Sequence, residues 1–419
     1  MDTRGGVAVK VFMSRLLQFG FPLAIGMGTA LLFVGGCVSD SDISVSMQVP
    51  FAPQALTSDK GHNICYEVYL SDYSKDGLEI ARVEVFADGT LYKEYSSEDI
   101  CDCDSDDIYD CDDAVSVCFK PPADPRPTAE QLEEGTDKNP QPALLFWFVF
   151  ESEEAVPSVF SHKVYFRNSS WPVGSELVCE GADTMVLSND PVVISPPFRG
   201  DRWLALEATD NRVHHRIGII SMGGVARVVQ RYAIDWVRLS QEGAMATGPS
   251  NLNDSYPQYG AEILAVAPGE VIKVIDGIPD NAHPPERDIE INLENAGGNM
   301  VIQKIGEGRY VAYAHMIPYS IEVREGDLLE TGQIIGLLGN SGNSGLPHLH
   351  FQLLDQPEFF LSQELAYVFP AFTIQGTFDY ISCMLASFDM LEECRWNPLE
   401  QQPPRTLEIP NNGAVVSFD

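Results

Sequence analysis

From residue 51 onward the chain is written in short runs of β-branched and aromatic residues, and this constrains the fold more than any other feature. ICYEVYL, LEIARVEVFA, ALLFWFVFE and HKVYF fill the first part, separated in places by polar turns such as ADG and RNSS. RIGIISM, ARVVQRYAIDWVRL, EILAVAPGEVIKVID, NMVIQKI and YVAYAHM continue the pattern after PPFRGDRW at 196–203, which reads as a boundary. Such residues suit a pleated, half-buried surface, and the recurring PG, EG, TG and GN pairs supply turns. Long helical periodicity is absent from this second part. The expected fold class is all-β: a β-sandwich-like domain over 51–195, a small antiparallel β domain over 196–375, and an extension over 376–419. The tail from about residue 390 is rich in Pro and Asn and reads as loosely ordered.

The first 37 residues read as a targeting segment. Arg4, Lys10 and Arg15 precede an uncharged run from Leu16 to Gly36, which ends in VGGC. That order resembles a bacterial lipoprotein signal, which implies a lipid on Cys37, membrane attachment through it and a place in the cell envelope. The run is also long enough for a retained signal anchor. VSDSDISVSMQVP, over 38–50, then reads as a short polar tether. Eight further cysteines follow: Cys65, Cys101, Cys103, Cys111, Cys118, Cys179, Cys383 and Cys394. In an exported chain an even number suggests up to four disulfides, with Cys383 and Cys394 placed to staple the piece between them.

Acidic residues outnumber basic ones 61 to 26, giving a formal net charge of -35. That balance argues against a nucleic-acid groove and against electrostatic docking on an anionic membrane. Part of the excess lies in EDICDCDSDDIYDCDDAVSVC, where Asp102, Asp104, Asp106, Asp110, Asp112 and Asp113 offer carboxylates to a Ca2+ ion. A loop starting at Asp102 lacks the glycine and glutamate of an EF-hand, and a disulfide-pinned solvated loop is the favoured reading. The Pro-rich KPPADPRPTAEQ at 120–131 reads as a linker.

Eight histidines occur in the chain, and His214, His215, His315, His348 and His350 lie in patterns worth weighing. A catalytic zinc needs three imidazole or carboxylate ligands and one open position. His348 and His350 share a face if HLH is a strand, because side chains alternate with period two. The same rule puts Tyr313 and His315 of YAH together. Asp235, in RYAIDW, interrupts an apolar strand pattern, and a buried carboxylate is costly unless paired or metal-bound.

Together these residues resemble the lysostaphin-type zinc endopeptidases, which cut peptides of bacterial peptidoglycan. The likeness spans roughly 225–356 and is carried by RYAID, YGAEILAVAPGEVIKVIDG, GGNMVI, YVAYAHM and VREGDLLETGQIIGLLGNSGNSGLPHLHF. It implies Zn2+ held by Asp235 and His350, His348 as the base that handles the water, and His315 steadying the oxyanion. The sequence departs from the family at the first ligand, where Arg231 replaces histidine and has no lone pair to offer. HHR at 214–216 offers a substitute if MGG turns a hairpin. His215 is favoured over His214, because Ile217 and Ile219 would share its core-facing side. Arg231 then pairs with Asp235 or faces the scissile carbonyl, and Asn299 and Tyr313 join it as substrate-side candidates. The loops near 240–260 and 276–290 wall the groove, the second carrying His283 as a plain loop histidine. The expected partners are peptidoglycan peptides. The alternative is an inactive relative that binds the wall or activates another cell-wall hydrolase, and a third reading is a carbohydrate- or protein-binding lipoprotein.

Overall fold

The computed structural model describes residues 35–38, 44–71, 73, 77–102, 117–120, 142–222, 225–380, 383, 391 and 394–419. The acidic loop with its proposed calcium site, the Pro-rich linker and nearly all of the targeting segment lie outside the described residues. The fold is all-β, with mostly antiparallel pairing in two large sheets.

The N-terminal sheet has eleven strands, ten of them on one continuous path. The path runs from Thr90–Ser96 through Leu78–Ala87, Val159–Asn168, Leu177–Met185, Gly35–Val38 and Ser44–Gln48 to Gly61–Ser71, Ala143–Phe150, Val117–Lys120 and Cys101–Asp102. Its two halves face each other across one core. Tyr66 and Phe148 meet Phe160 with ring centroids 5.5 and 5.4 Å apart. The sandwich-like arrangement is thus one sheet curled on itself.

Residues 44–48, read as tether, are an internal strand: alternation in SVSMQ sends Val45 and Met47 into the core. Cys37 is bonded to Cys179, and Cys383 to Cys394. Cys101 and Cys118 are also disulfide-bonded, while Cys65 is a free buried thiol.

The second large sheet runs Leu328–Leu329, Gly269–Ile275, Asn299–Gly306, Arg309–Met316, Leu349–Leu354, Ile234–Arg238, Gly200–Leu206, Ala414–Phe418, Phe372–Thr377 and Asn397–Pro398. The end of the chain is therefore not loose. AVVSF is buried at four of its five positions and pairs on both sides.

The two halves share apolar packing. Strand Gly61–Ser71 sends Ile64, Tyr66, Val68 and Leu70 into the N-terminal core. Its alternate residue Cys65 packs with Tyr232 and Ile234, and Tyr69 with Ile217, Ala226 and Val228. A strand buried on both faces has no solvated side, which matches its nearly unbroken apolar spelling.

Candidate metal centre

Ile219–Met222 pairs antiparallel to Val225–Val228, the strand pairing expected on either side of the two glycines. It is preceded by one helical turn, His214–Ile217. His215 is turned inward by that helical geometry, not by the strand alternation expected from Ile217 and Ile219. Asp235 and His350 are direct cross-strand partners, so their side chains leave the sheet on one face. His315 pairs near the same strand, since its neighbour Ala314 lies opposite His350.

The cluster converges on Asp235. Its Oδ1 lies 2.8 Å from His350 Nδ1 and 3.4 Å from His215 Nε2, and its Oδ2 lies 3.4 Å from His348 Nε2. The His315 and His348 rings are 4.7 Å apart. Two overlapping groups, His215/Asp235/His350 and His315/His348/His350, each hold their ligand atoms within 4.8 Å of one another. All four imidazoles are buried.

Each ring is oriented by a hydrogen bond on its other nitrogen. The Nδ1 atoms of His215, His348 and His315 donate to the carbonyls of Glu207, Leu346 and Ser341 at 2.9, 2.8 and 2.7 Å. This leaves Nε2 of all three facing the site. His350 is reversed: Nε2 donates to Gln352 Oε1 at 2.8 Å, and Nδ1 faces Asp235. In the neutral ring that Nδ1 carries a lone pair, so lone pairs of nitrogen and carboxylate converge on one place. That donor set, with each imidazole anchored behind, fits a zinc ion.

The electrostatics follow from burial and from Asp235. Burial opposes the Asp235 charge, but His215 and His348 outweigh it and hold the carboxyl well below its usual range. Burial also works against a charged His215, yet Asp235 raises it to about 9. Asp235 likewise prevails at His348 and raises it. Burial dominates at His350, and at His315, where His348 and His350 push the same way, so both are lowered.

The cluster lines a cleft of about 370 Å³ whose wall also includes Glu207, His214, Gln230, Arg287, Asn343 and Tyr380. Pro285 and Arg287 come from the expected 276–290 loop, but the 240–260 segment contributes nothing to the lining. It braces from behind: Gln258 Nε2 donates to Pro347 O at 2.6 Å, and Asn253 Nδ2 to Asn281 O at 2.8 Å. Asn281 in turn donates to the carbonyls of Asn340, Gly342 and Ser344, which shapes the turn before His348. Gly342 is required in that turn: its φ is +75°, and a Cβ would sit 2.4 Å from Gly298 N.

Three substrate-side candidates are corrected. Arg231 neither reaches Asp235 nor enters the cleft. Its guanidinium is buried against Glu67 of the N-terminal sheet, donating from Nε to Oε1 at 2.9 Å. Tyr313 is fully buried and donates to Gln303 Oε1 at 2.8 Å. It parts from His315 because His315 has φ +63°, which breaks the alternation and turns the imidazole to the other face. Asn299 is also fully buried and donates to the carbonyls of Ile278 and Met316, both at 2.8 Å. His283 is exposed, as read. Sequence reasoning missed Glu207, Gln230 and Gln352; only Gln352 had a signal, two residues beyond His350 on the same strand.

Residues 253–359 match the sequence profile of Peptidase family M23. This stretch holds His315, His348 and His350, while His215 and Asp235 precede it. Lysostaphin of Staphylococcus simulans is 39% identical over 79 residues, 18% of this chain and 15% of that protein. The cell division protein DipM of Caulobacter vibrioides is 28% identical over 121 residues, 28% of this chain and 17% of that protein. The chain thus spans less than a fifth of the length of these curated relatives. Among solved structures, the catalytic domain of the prophage-encoded M23 protein EnpA from Enterococcus faecalis aligns with 41% of this chain and 92% of its own, at 20% identity and TM-score 0.24. The catalytic domain of lysostaphin covers 29% and 84%, at 23% identity and TM-score 0.19. Residues 253–359 thus resemble Peptidase family M23, and the fold joins three histidines of that stretch to His215 and Asp235 in a candidate metal cluster.

Proposed function

We propose that this protein is a zinc-dependent endopeptidase acting on the peptides of bacterial peptidoglycan. The observation that carries the reading is the convergence of His215, Asp235 and His350, with His348 and His315 across the same cleft. His215 takes the place left by Arg231 and would hold zinc with Asp235 and His350. Bound there, the ion would acidify a water and polarise the scissile carbonyl.

The chain's own residues do the rest. His348, fixed through Leu346 O, presents Nε2 to the cleft and moves the water's proton to the leaving amine. Asp235 favours a proton on His348 Nε2; with its carboxylate engaged by a cation that hold would weaken and Nε2 would be free to accept. His315 keeps its first proton on Nδ1, toward Ser341 O, and burial with His348 and His350 disfavours a second, so it steadies an oxyanion only as the developing negative charge itself draws a proton to Nε2. The cleft would hold the peptide against these groups.

Two disulfides between described cysteines suit an oxidising compartment, which is consistent with an exported chain acting on the wall. The envelope location is part of the proposal. A lipid on Cys37 is opposed by the Cys37–Cys179 bond, since a sulfur in a disulfide cannot also carry a thioether.

Zinc stoichiometry on the exported chain is the deciding measurement. About one tightly held zinc per chain is expected, lost in both His350→Ala and His215→Ala. Unchanged affinity in His215→Ala would remove the replacement ligand. A wild-type chain that takes up no zinc at neutral pH would leave the wall-binding or hydrolase-activating reading in its place.

A further inference from the structure

Glu67 lies on an interior strand of the N-terminal sheet, far in sequence from the cluster, with its side chain 1% exposed. It accepts hydrogen bonds from Arg216 and from Arg231, the latter through both Nε and NH2. Arg216 is itself fully buried, and its NH2 donates to the carbonyls of Tyr66 and Phe146 at 2.9 and 3.2 Å. One carboxylate thus binds two guanidinium groups inside the molecule.

The two arginines flank the candidate ligands. Arg216 follows His215 directly, in a helix of only four residues. So short a helix does not hold its own shape, and something outside it must fix the ring. Arg231 lies four residues before Asp235 and directly after Gln230, whose side-chain amide reaches within 3.4 Å of His350 Nε2. Outward-facing residues of the same sheet, Tyr69 and Leu145, pack on Ile217, Ala226 and Val228 of the turn and hairpin.

We propose that Glu67 is a positioning residue for the metal centre: by gripping Arg216 and Arg231 together, it sets where His215 stands relative to Asp235. The arginine at the usual ligand position has become the second arm of that clamp. The N-terminal sheet then acts as the floor of the centre. The inference rests on the metal-site reading above.

The test compares zinc affinity with melting temperature in the full chain, using zinc alone against a competing chromophoric chelator. Glu67→Gln keeps the side chain's shape but leaves two buried arginines without a counter-charge; zinc affinity should fall at least about tenfold. The triple variant Glu67→Met, Arg216→Met and Arg231→Met replaces the triad with apolar groups, a kind of change that often restores stability. It should recover the melting temperature and not the zinc affinity.

Recovery of both together would overturn the proposal, because packing alone would then suffice. So would a Glu67→Gln chain that binds zinc within twofold of wild type. If Glu67→Gln does not fold, the triple variant decides by the same two readouts; if neither folds, the clamp is a folding element and the positioning role is withdrawn. A wild-type chain that binds no zinc removes the metal-site reading and this inference with it, and that result is visible before any variant is made.

Discussion

At Asp235 a single carboxylate faces three imidazoles, and their protons are linked to pH. In the metal-free chain, His215 has its folded value raised to about 9, against ~6.5 when unfolded. A raised histidine contributes stability that is complete below pH ~6.5 and lost as pH climbs through about 9. His348 shifts in the same direction. Glu364, pushed up to about 8 by burial, adds a loss of the same sign between its unfolded value and pH 8. His315 and His350 are lowered, so their contributions change mainly below pH ~6.5.

The metal-free protein should therefore lose stability from pH 7 to 9, by on the order of 2 kcal/mol, in denaturant titrations at fixed ionic strength. Zinc affinity should rise over the same window, because zinc must displace the His215 proton. A flat zinc–pH profile would contradict the ligand assignment. Asp235→Asn should cost at least tenfold in zinc affinity while lowering the His215 value, readable by NMR titration.

At the scale of elements, the strand Ala414–Phe418 joins the sheet between Gly200–Leu206 and Phe372–Thr377. Phe418, 2% exposed, packs edge-on against Trp236 and Phe369 with centroids 5.5 and 5.4 Å away. Phe418→Ala should destabilise by about 3–5 kcal/mol, measured by chemical unfolding. A cost under 1 kcal/mol would mean that the strand is peripheral.

Much of this level was legible. HLH, YAH and RYAID carry residues that converge, because strand alternation and cross-strand pairing act locally. Tyr313 was misplaced because a positive φ at His315 has no spelling in an ordinary residue. The final strand was misread because Pro and Asn in the preceding turns masked the apolar AVVSF. His215 was reached through the hairpin, although a helical turn presents it.

For the whole molecule, the least legible contact is the most consequential one. Glu67 and Arg231 are 164 residues apart, and no periodicity connects them. The apolar spelling of ICYEVYL suits a strand covered on both faces, but its glutamate gives no sign of which residues will meet it. The Cys37–Cys179 bond is equally long-range, and it decides the fate of the chain's first described strand. Mass spectrometry of the mature protein, digested without reduction, should recover Cys37 and Cys179 peptides as one linked species. A diacylglyceryl mass on Cys37 would instead establish lipid attachment and leave Cys179 unpaired.

The placement of Ala414–Phe418 also has a consequence in time. A ribosome delivers a chain from its first residue onward, yet this sheet keeps a central slot for residues near 414–418. Until they arrive, Gly200–Leu206 and Phe372–Thr377 each present an edge with unused hydrogen-bonding groups, the kind of template that recruits neighbouring chains. The second sheet thus closes only once Ala414–Phe418 is available, and until then those two edges are open to wrong pairing.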